Sequence, residues 1–260
     1  MVRWQSAILA LACILAFLPG LSALPPIDRD EARFVQATKQ MLETDDYIDI
    51  RFQETHRYKK PIGIYWLQSA AVKLTGQGPE AEIYAYRLAS VAAGILAVVT
   101  IASLGTYMFG PLAGFAAGVL LLGLLGLGIE ARLAKTDATL LALTLVAQAA
   151  LARFYLAPRQ GDAAQRRWWW IFWLAIGAGL LVKGPITPLV SALTIIGIAL
   201  LDKDRAWIRN TRPLAGLGLV TLIVVPWFIA ITIKSGGAFW AESVGKDMLG
   251  KVAAGQESHG

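Results

Sequence analysis

The sequence predicts an all-α, polytopic membrane protein, a bundle of about seven transmembrane helices with amphipathic interfacial helices in its first outer loop. Hydrophobic residues make up 56% of the 260 residues and charged residues only 16%, whereas ordinary soluble domains carry about 25% charged residues. The apolar residues are grouped in runs close to the roughly 20 residues that one bilayer crossing needs. One long polar segment, residues 25–82, lies near the front of the chain. These observations indicate membrane spans with one large polar loop.

Composition also excludes several classes of function. The net charge of +6 fits short cytoplasmic loops and contact with anionic lipids, so it is not a sign of nucleic-acid binding. The single cysteine, Cys13, lies inside the first apolar run, which excludes disulfides and cysteine-ligated metals. The chain has no Gly-rich phosphate loop, no His-Glu-x-x-His and no Gly-x-Ser-x-Gly motif. Its chemistry must therefore use carboxylates, lysines, arginines and two histidines.

The predicted spans begin with an apolar run at residues 4–24, which further apolar runs follow. Its short basic start and its Leu21-Ser22-Ala23 end also resemble a signal peptide, so cleavage of residues 1–24 stays open. Either interpretation exports the chain from residue 25 onward. The later spans are predicted at Ile83–Phe109, Leu112–Ile129, Ala138–Ala157, Trp168–Val182, Ile186–Leu201 and Leu214–Ile233.

Two interfacial helices are predicted in the first outer loop. The first, Glu31–Glu43, is amphipathic and would lie along the membrane surface. After a polar, partly extended stretch, Pro61 opens a second helix, and Gly76 is its predicted stop. The apolar face of the first helix consists of Phe34, Ala37, Thr38, Met41 and Leu42.

Basic residues in the short loops set the predicted orientation. The positive-inside rule places the side that carries most of them in the cytoplasm. These residues are Arg3, Arg159, Arg166, Arg167, Lys203, Arg205, Arg209 and Arg212. The opposite, periplasmic side then receives residues 25–82, 130–137, 183–185 and 234–260.

Ionisable residues at the membrane edge converge on this outer side. Charges that border a bilayer are costly and usually functional, so this face is the predicted site. Carboxylates can deprotonate an acceptor hydroxyl, and lysines and arginines can hold a phosphate and stabilise it as a leaving group. Together they suit transfer from a lipid-linked phosphate donor. The set comprises Asp30, Glu31, Arg33, Lys59, Lys60, Arg87, Glu130, Arg132, Lys135, Asp137 and Lys183.

These residues also have purely structural interpretations. Asp28 and Glu31 have the spacing of a capping box, while Asp30 could equally be the N-cap. Lys59 and Lys60 could instead extend to the lipid headgroups without any role in catalysis. Asp137 could form a structural ion pair or cap the span that follows it.

The order of several short motifs resembles one family of enzymes. The motifs are Asp30-Glu31-Ala32-Arg33-Phe34, Gln40-Met41-Leu42-Glu43, Tyr58-Lys59-Lys60-Pro61 with Tyr65-Trp66-Leu67, Arg87-Leu88-x-Ser90, Arg132-x-x-x-Thr136-Asp137 and Lys183-Gly184-Pro185. They run across almost the whole chain. They are similar to those of the aminoarabinose transferase/protein mannosyltransferase-like family, which are membrane glycosyltransferases of the GT-C fold.

The resemblance implies a function and a set of roles. A sugar would move from a polyprenyl-phosphate donor to lipid A, another glycolipid or a protein, at the periplasmic side of the bacterial inner membrane. Asp30 would match the essential acid, and Asp137 a second acid in the cavity. The expected donor-phosphate residues are Arg33, Lys60, Tyr58 and Arg132, with Glu31, Arg87 and Lys183 in support.

Two departures from the family matter. Members often have Glu immediately before the lysine of the Lys-Pro pair, and here Lys59 stands in that place. A divalent metal is possible but doubtful for this reason, with His259 as its candidate ligand, and no other cofactor is assigned. Members are also longer, so residues 1–260 are expected to form the N-terminal transmembrane catalytic region without the C-terminal part.

The alternative function is that of a transporter or a lipid-binding membrane protein without transferase activity. A transporter needs ionisable groups near the bilayer midplane and broken helices. The later predicted spans are nearly free of charge in their middles. The charge distribution therefore favours the enzyme.

Overall fold

The computed structural model describes residues 3–23, 25–26, 28–158 and 166–243 of the protein. These residues are predominantly helical, which confirms the predicted class. The elements are α1 (Arg3–Phe17), α2 (Arg29–Thr44), β1 (Arg51–Phe52), β2 (Thr55–His56), α3 (Gly63–Leu74), α4 (Ile83–Phe109), α5 (Pro111–Gly123), α6 (Leu125–Glu130), α7 (Asp137–Leu156), α8 (Arg166–Lys183), α9 (Ile186–Leu201), α10 (Ala206–Asn210), α11 (Pro213–Ser235) and α12 (Ala238–Trp240).

Membrane-spanning length is clear for three of these helices. Among the described residues, α4, α7 and α11 are long and apolar enough to cross a bilayer. The apolar part of α1, together with α5 and α9, is shorter. The coarse prediction of a polytopic bundle is therefore confirmed, while the count of seven spans stays a prediction.

One predicted span is broken. The prediction of a continuous helix over Leu112–Ile129 was wrong, because α5 ends before Leu124 and α6 begins after it. Leu124 has the extended conformation, with φ −70° and ψ 121°. Glycines flank the break at positions 123, 126 and 128, and glycine weakens a helix by roughly 1 kcal/mol relative to alanine. The local glycine content explains why the helix does not continue.

Helix α4 is the centre of the first half of the bundle, and small residues let its neighbours approach closely. Ala93 and Ala97 of α4 pack on Ala138 and Ala142 of α7. A Cβ atom added to Gly114 of α5 would lie 2.4 Å from the carbonyl oxygen of Ala102. Such small-residue contacts are expected between membrane helices. In lipid, no hydrophobic driving force brings helices together, so close van der Waals packing stabilises their contact.

The segment between α1 and α4 contains two helices, as predicted, and a short hairpin. The interfacial location of these helices stays a prediction. Helix α2 buries most of its predicted apolar face, including Phe34 and Met41. A two-stranded antiparallel hairpin follows, in which Arg51 pairs with His56. Helix α3 ends just before Gly76, which has φ +73°, so the predicted stop is confirmed.

The predicted outer segments come together at one end of the bundle. Lys135 contacts Asp28, and the indole N–H of Trp227 donates to the carbonyl oxygen of Ile48 over 3.1 Å. At the opposite end, the Tyr155 hydroxyl donates to Asp202 over 2.9 Å. The bundle therefore separates the two sets of loops. Residues 159–165 and 244–260, including Arg159 and His259, lie outside the described residues.

Candidate active site at the outer end of the bundle

A buried ion pair joins α2 to α4 beneath the outer surface. Arg87 donates from Nε to Oε1 of Glu31 over 2.7 Å and from Nη2 to Oε2 over 2.9 Å. The two side chains are only 3% and 0% exposed. Arg87 also donates to the carbonyl oxygen of Leu21, and Glu31 accepts from the backbone N–H of Ala134. Four separate segments of the chain are thus fixed to one another.

Asp28 is the N-cap of α2, which decides between the two alternatives left open by the sequence. Its Oδ1 accepts from the backbone N–H groups of Asp30, over 2.7 Å, and Glu31, over 3.1 Å. The capping-box prediction was wrong in its second half, because the Glu31 side chain points inward to Arg87 and not back to the cap. Asp30 is therefore not the N-cap of α2.

A second charged group surrounds Lys135. Its Nζ lies 3.3 Å from Oδ2 of Asp28 and 3.4 Å from Oε1 of Glu130. Partial burial alone would raise the pKa of Asp28, but the two capping N–H groups and Lys135 hold that pKa below its usual value. Burial would likewise lower the pKa of Lys135, yet Glu130 and Asp28 raise it. Each partner thus keeps the other ionised.

Asp30 and Arg33 form the exposed edge of the site. The Asp30 side chain is 57% exposed and lies 3.6 Å from Nη1 of Arg33, one helical turn away. The next residue, Phe34, turns inward and places its ring 5.6 Å from that of Tyr65. The guanidinium carbon of Arg57 lies 5.3 Å from the Phe34 ring centre. The exposed Asp30 therefore lies on the same helix as Phe34, which contacts the buried side chains of Arg57 and Tyr65.

Arg57 and Tyr65 are the site residues that the sequence prediction missed. Both are buried, and the side chain of Arg57 lies near the hydroxyl of Tyr65. Burial raises the pKa of Tyr65 to about 12, although the nearby Arg57 charge opposes this. Tyr65 therefore remains a hydrogen-bond donor at neutral pH. Its place in the quoted motif was the available signal, whereas nothing local marked Arg57 as buried.

The Lys-Pro motif lies beside this pair. Lys59 is exposed and Lys60 half-buried. Tyr58 is buried, and its hydroxyl donates to Oδ1 of Asp49 over 2.9 Å and lies 3.0 Å from Nδ1 of His56. Burial, followed by Asp49, raises the pKa of Tyr58 well above its usual value. In this structure Tyr58 positions the hairpin, and its predicted contact with a phosphate stays a prediction.

Asp137 is the first residue of α7 and does not act as its cap. Its Oδ1 lies 2.6 Å from Nζ of Lys183 at the end of α8. The side chains are 39% and 23% exposed. Gly184, with φ +68°, makes the turn into α9. The structure thus brings the second predicted acid together with Lys183, as a partly exposed ion pair.

Hydrogen bonds to the C-terminal end of α1 fix the position of the Arg132 side chain. Its Nη2 donates to the carbonyl oxygens of Ala16, over 2.8 Å, and Pro19, over 2.7 Å. Arg132 lines a cavity of about 650 Å³ together with Asp28 and Arg87. Most of the other lining residues are apolar, namely Ala16, Phe17, Leu21, Leu122, Leu125, Ile129 and Leu133.

Metal ligands do not assemble in the described residues. No group of three His, Cys, Asp or Glu side chains is close enough to hold an ion there. His259, the possible ligand suggested by the sequence, lies outside the described residues. The doubt about a divalent metal therefore stays a prediction.

Comparison with known proteins decides the family. A family model described as dolichyl-phosphate-mannose-protein mannosyltransferase matches residues 59–229. The chain belongs to this family. The family predicted from the motifs is thereby confirmed, and with the membrane spans it indicates a bacterial inner-membrane protein.

Several curated relatives carry one name, undecaprenyl phosphate-alpha-4-amino-4-deoxy-L-arabinose arabinosyl transferase. The protein from Aeromonas salmonicida is 29% identical over 253 residues, which cover 94% of this chain and 44% of the relative. The one from Pectobacterium carotovorum is 24% identical over 251 residues, with the same coverage. The chain thus spans less than half the length of these relatives.

Solved structures show the same fold. The crystal structure of ArnT from Cupriavidus metallidurans bound to undecaprenyl phosphate superimposes with a TM-score of 0.84 at 21% identity, over 96% of this chain and 45% of that one. The apo structure of the same protein gives a TM-score of 0.77 at 24% identity, over 88% and 42%.

Proposed function

We propose that the protein is a membrane glycosyltransferase that moves a sugar from a polyprenyl-phosphate donor to an acceptor at the periplasmic side. The observation that carries this proposal is the position of Asp30, an exposed carboxylate beside Arg33 and above the buried pair of Arg57 and Tyr65. An acid and several cationic or neutral donors thus share one face. The names of the curated relatives support the donor class.

In the proposed reaction, an acceptor hydroxyl attacks the anomeric carbon of the donor sugar. Its proton passes to Asp30, which acts as general base. The bond between that carbon and the phosphate oxygen breaks, and the polyprenyl phosphate leaves with the electron pair. Asp137, held by Lys183, is the second proposed acid of the cavity and would help to orient the acceptor.

The leaving phosphate needs positive charge and hydrogen-bond donors where its own charge increases. Arg33 is partly exposed next to Asp30 and can supply a guanidinium fork. Lys60 lies just before α3, which contains Tyr65. We propose that Lys60, Tyr65 and Arg57 bind the donor phosphate. Tyr58 would act by holding the hairpin in place. Glu31 and Arg87 are supporting residues, because their buried pair fixes α2 on the bundle.

The proposed donor sugar is taken from the names of the relatives, and these names do not include an acceptor. Their names indicate 4-amino-4-deoxy-L-arabinose on undecaprenyl phosphate. We propose this donor class for the whole protein, with lipid A, another glycolipid or a protein as the acceptor.

The transporter alternative is less well supported by the described spans. The charges of α4 and α7 lie near their ends, at Arg87, Asp137 and Arg153, and not at the midplane. The break at Leu124 is a broken-helix feature, but its immediate neighbours are apolar or glycine. The ionisable residues of the adjacent cavity, Asp28, Arg87 and Arg132, are bonded to other groups of the protein at the outer end of the bundle.

Replacement of the proposed base tests the function. In the full-length protein, Asp30→Asn should lower sugar transfer by roughly 100-fold or more, because general base catalysis contributes about 10²–10⁴-fold. Transfer would be measured in membranes with a labelled polyprenyl-phosphate sugar, after normalisation to the amount of protein.

Asp45→Asn is the matched control. Asp45 follows the same helix, is exposed and has φ +54°, a conformation that asparagine tolerates well. It should leave transfer unchanged. Transfer retained in the Asp30 variant would remove Asp30 from the role of base.

A further inference from the structure

The end of the bundle opposite the candidate active site carries an excess of exposed cations. They come from the start of α8, the segment after α9, α10 and the start of α11. Among the described residues they are Arg166, Arg167, Lys203, Arg205, Arg209 and Arg212. The nearby acids, Asp202 and Asp204, accept from the Tyr155 hydroxyl and from backbone N–H groups. Among the described residues of these segments, the six cations outnumber the two acids.

Two of the arginines at this end share one indole ring. The guanidinium carbon of Arg153 lies 3.5 Å from the Tyr107 ring centre and 4.8 Å from that of Trp168. The guanidinium carbon of Arg167 lies 5.3 Å from the same Trp168 ring. Cation–π contacts with this shared ring orient both groups.

This Arg153–Arg167 pair has no carboxylate partner in the described part of the chain. Two like charges held near each other repel, and the repulsion grows where burial excludes water. Arg153 is half-buried whereas Arg167 is exposed. A phosphate that accepts hydrogen bonds from both guanidinium groups would offset this repulsion.

The position of the Arg153–Arg167 pair at the ends of the helices indicates that its ligand is a lipid headgroup. Tyr107 and Arg153 lie in the last turns of α4 and α7, and Trp168 lies in the first turn of α8. Tryptophan and tyrosine concentrate at the level of the lipid headgroups. Beside them Phe109 is 73% and Leu112 81% exposed, which provides an apolar surface for an acyl chain.

We infer that Arg153 and Arg167 bind the phosphate of an anionic phospholipid in the leaflet opposite the candidate active site. The guanidinium groups hold the phosphate, and the acyl chain lies along the exposed turn at Phe109. This inference does not depend on the proposed glycosyltransferase function, because none of its residues belongs to the outer site.

Lipid titration of the purified 260-residue chain tests the inference. The probes are phosphatidylglycerol, phosphatidylcholine and inorganic phosphate, with bound lipid counted by native mass spectrometry in detergent. Phosphatidylglycerol should bind more tightly than phosphatidylcholine. Because a hydrogen bond to a charged group contributes about 1.5–3 kcal/mol, Arg167→Gln and Arg153→Gln should each weaken phosphatidylglycerol binding by roughly tenfold or more.

Arg209→Gln is the matched control, since it removes an exposed cation from the same end but outside the pair. It should change the affinity less than twofold, in keeping with weak exposed charge contacts. Arg167 is exposed, so its variant keeps the test valid if the half-buried Arg153 proves necessary for folding.

Three outcomes would overturn the inference. Unchanged phosphatidylglycerol affinity in the Arg167 variant would remove the pair from lipid binding. An equal loss of phosphatidylglycerol affinity in the Arg209 variant would indicate general electrostatic attraction without a defined binding site. Displacement of the lipid by inorganic phosphate at equal concentration would identify the ligand as a free anion.

Discussion

Neighbouring acids of α2 have opposite environments. Glu31 is fully buried against Arg87, whereas Asp30 is 57% exposed beside Arg33. Consecutive positions of a helix point about 100° apart, so a one-residue step moves a carboxylate from the interior to the surface. A buried, fully paired acid is a structural element, while an exposed one can exchange a proton with a substrate. This contrast supports Asp30 as the acid that carries the chemistry.

The buried pair gives a stability prediction at the residue scale. Glu31→Ala should lower the free energy of unfolding by about 3–5 kcal/mol, because it leaves the Arg87 charge buried without its partner. The measurement is thermal or denaturant unfolding of the detergent-solubilised protein.

Glu43→Ala provides the comparison on the same helix. Glu43 is exposed and lies 3.8 Å from Lys39, and such surface pairs contribute roughly 0–1 kcal/mol. Equal destabilisation by the two substitutions would show that the Glu31–Arg87 pair does not fix α2 to α4.

At the scale of elements, the start of α3 decides where the Lys-Pro motif lies. A Cβ atom added to Gly63 would be 2.8 Å from the carbonyl carbon and oxygen of Leu181 and 3.0 Å from the backbone nitrogen of Val182. All three neighbours are backbone atoms of α8 and cannot turn aside. The glycine therefore lets α3 touch α8, and it sets the position of Lys60 and Tyr65.

Gly63→Ala should push α3 away from α8. We expect a loss of about 1–3 kcal/mol in the free energy of unfolding, as for overpacking in a dense core, and a reduced rate of sugar transfer in the full-length protein. Gly78→Ala is the control, because nothing lies within 4 Å of the Cβ it would add. A Gly63 variant as stable and active as that control would refute the close contact.

The elements also show how far local pattern can predict this fold. The span Ile83–Phe109 was predicted with the bounds that α4 has, because hydrophobic length is a local property. The amphipathic helix was predicted two residues late at its start and one residue early at its end, and its Asp28 cap became certain only from the hydrogen bonds. The break at Leu124 was missed, since the run around it is apolar on both sides.

At the scale of the whole molecule, loop charge predicts the direction in which the bundle crosses the membrane. The structure separates an outer set of loops from a basic set at the opposite end. Which set faces the periplasm remains part of the proposal.

Single-cysteine labelling tests this orientation. In a Cys13→Ala background, Glu54→Cys should react with a membrane-impermeant maleimide in intact spheroplasts, because Glu54 is exposed at the tip of the hairpin. Lys203→Cys should react only after the membrane is permeabilised. Labelling of position 203 from outside would reverse the topology and move the candidate site to the cytoplasmic face.

The sequence by itself determined the membrane class, the family and the places of the three long spans α4, α7 and α11, and it predicted the end of the bundle where charges meet. These depend on composition, on apolar length and on motifs read along the chain. Only the tertiary structure decided which acid caps α2, which acid is buried, and that Arg57 and Tyr65 lie beneath Asp30. The Glu31–Arg87 bond joins residues 56 positions apart, and the two arginines on Trp168 come from different helices. The physical reason is that burial and charge pairing depend on distances between segments, which packing sets and local pattern does not.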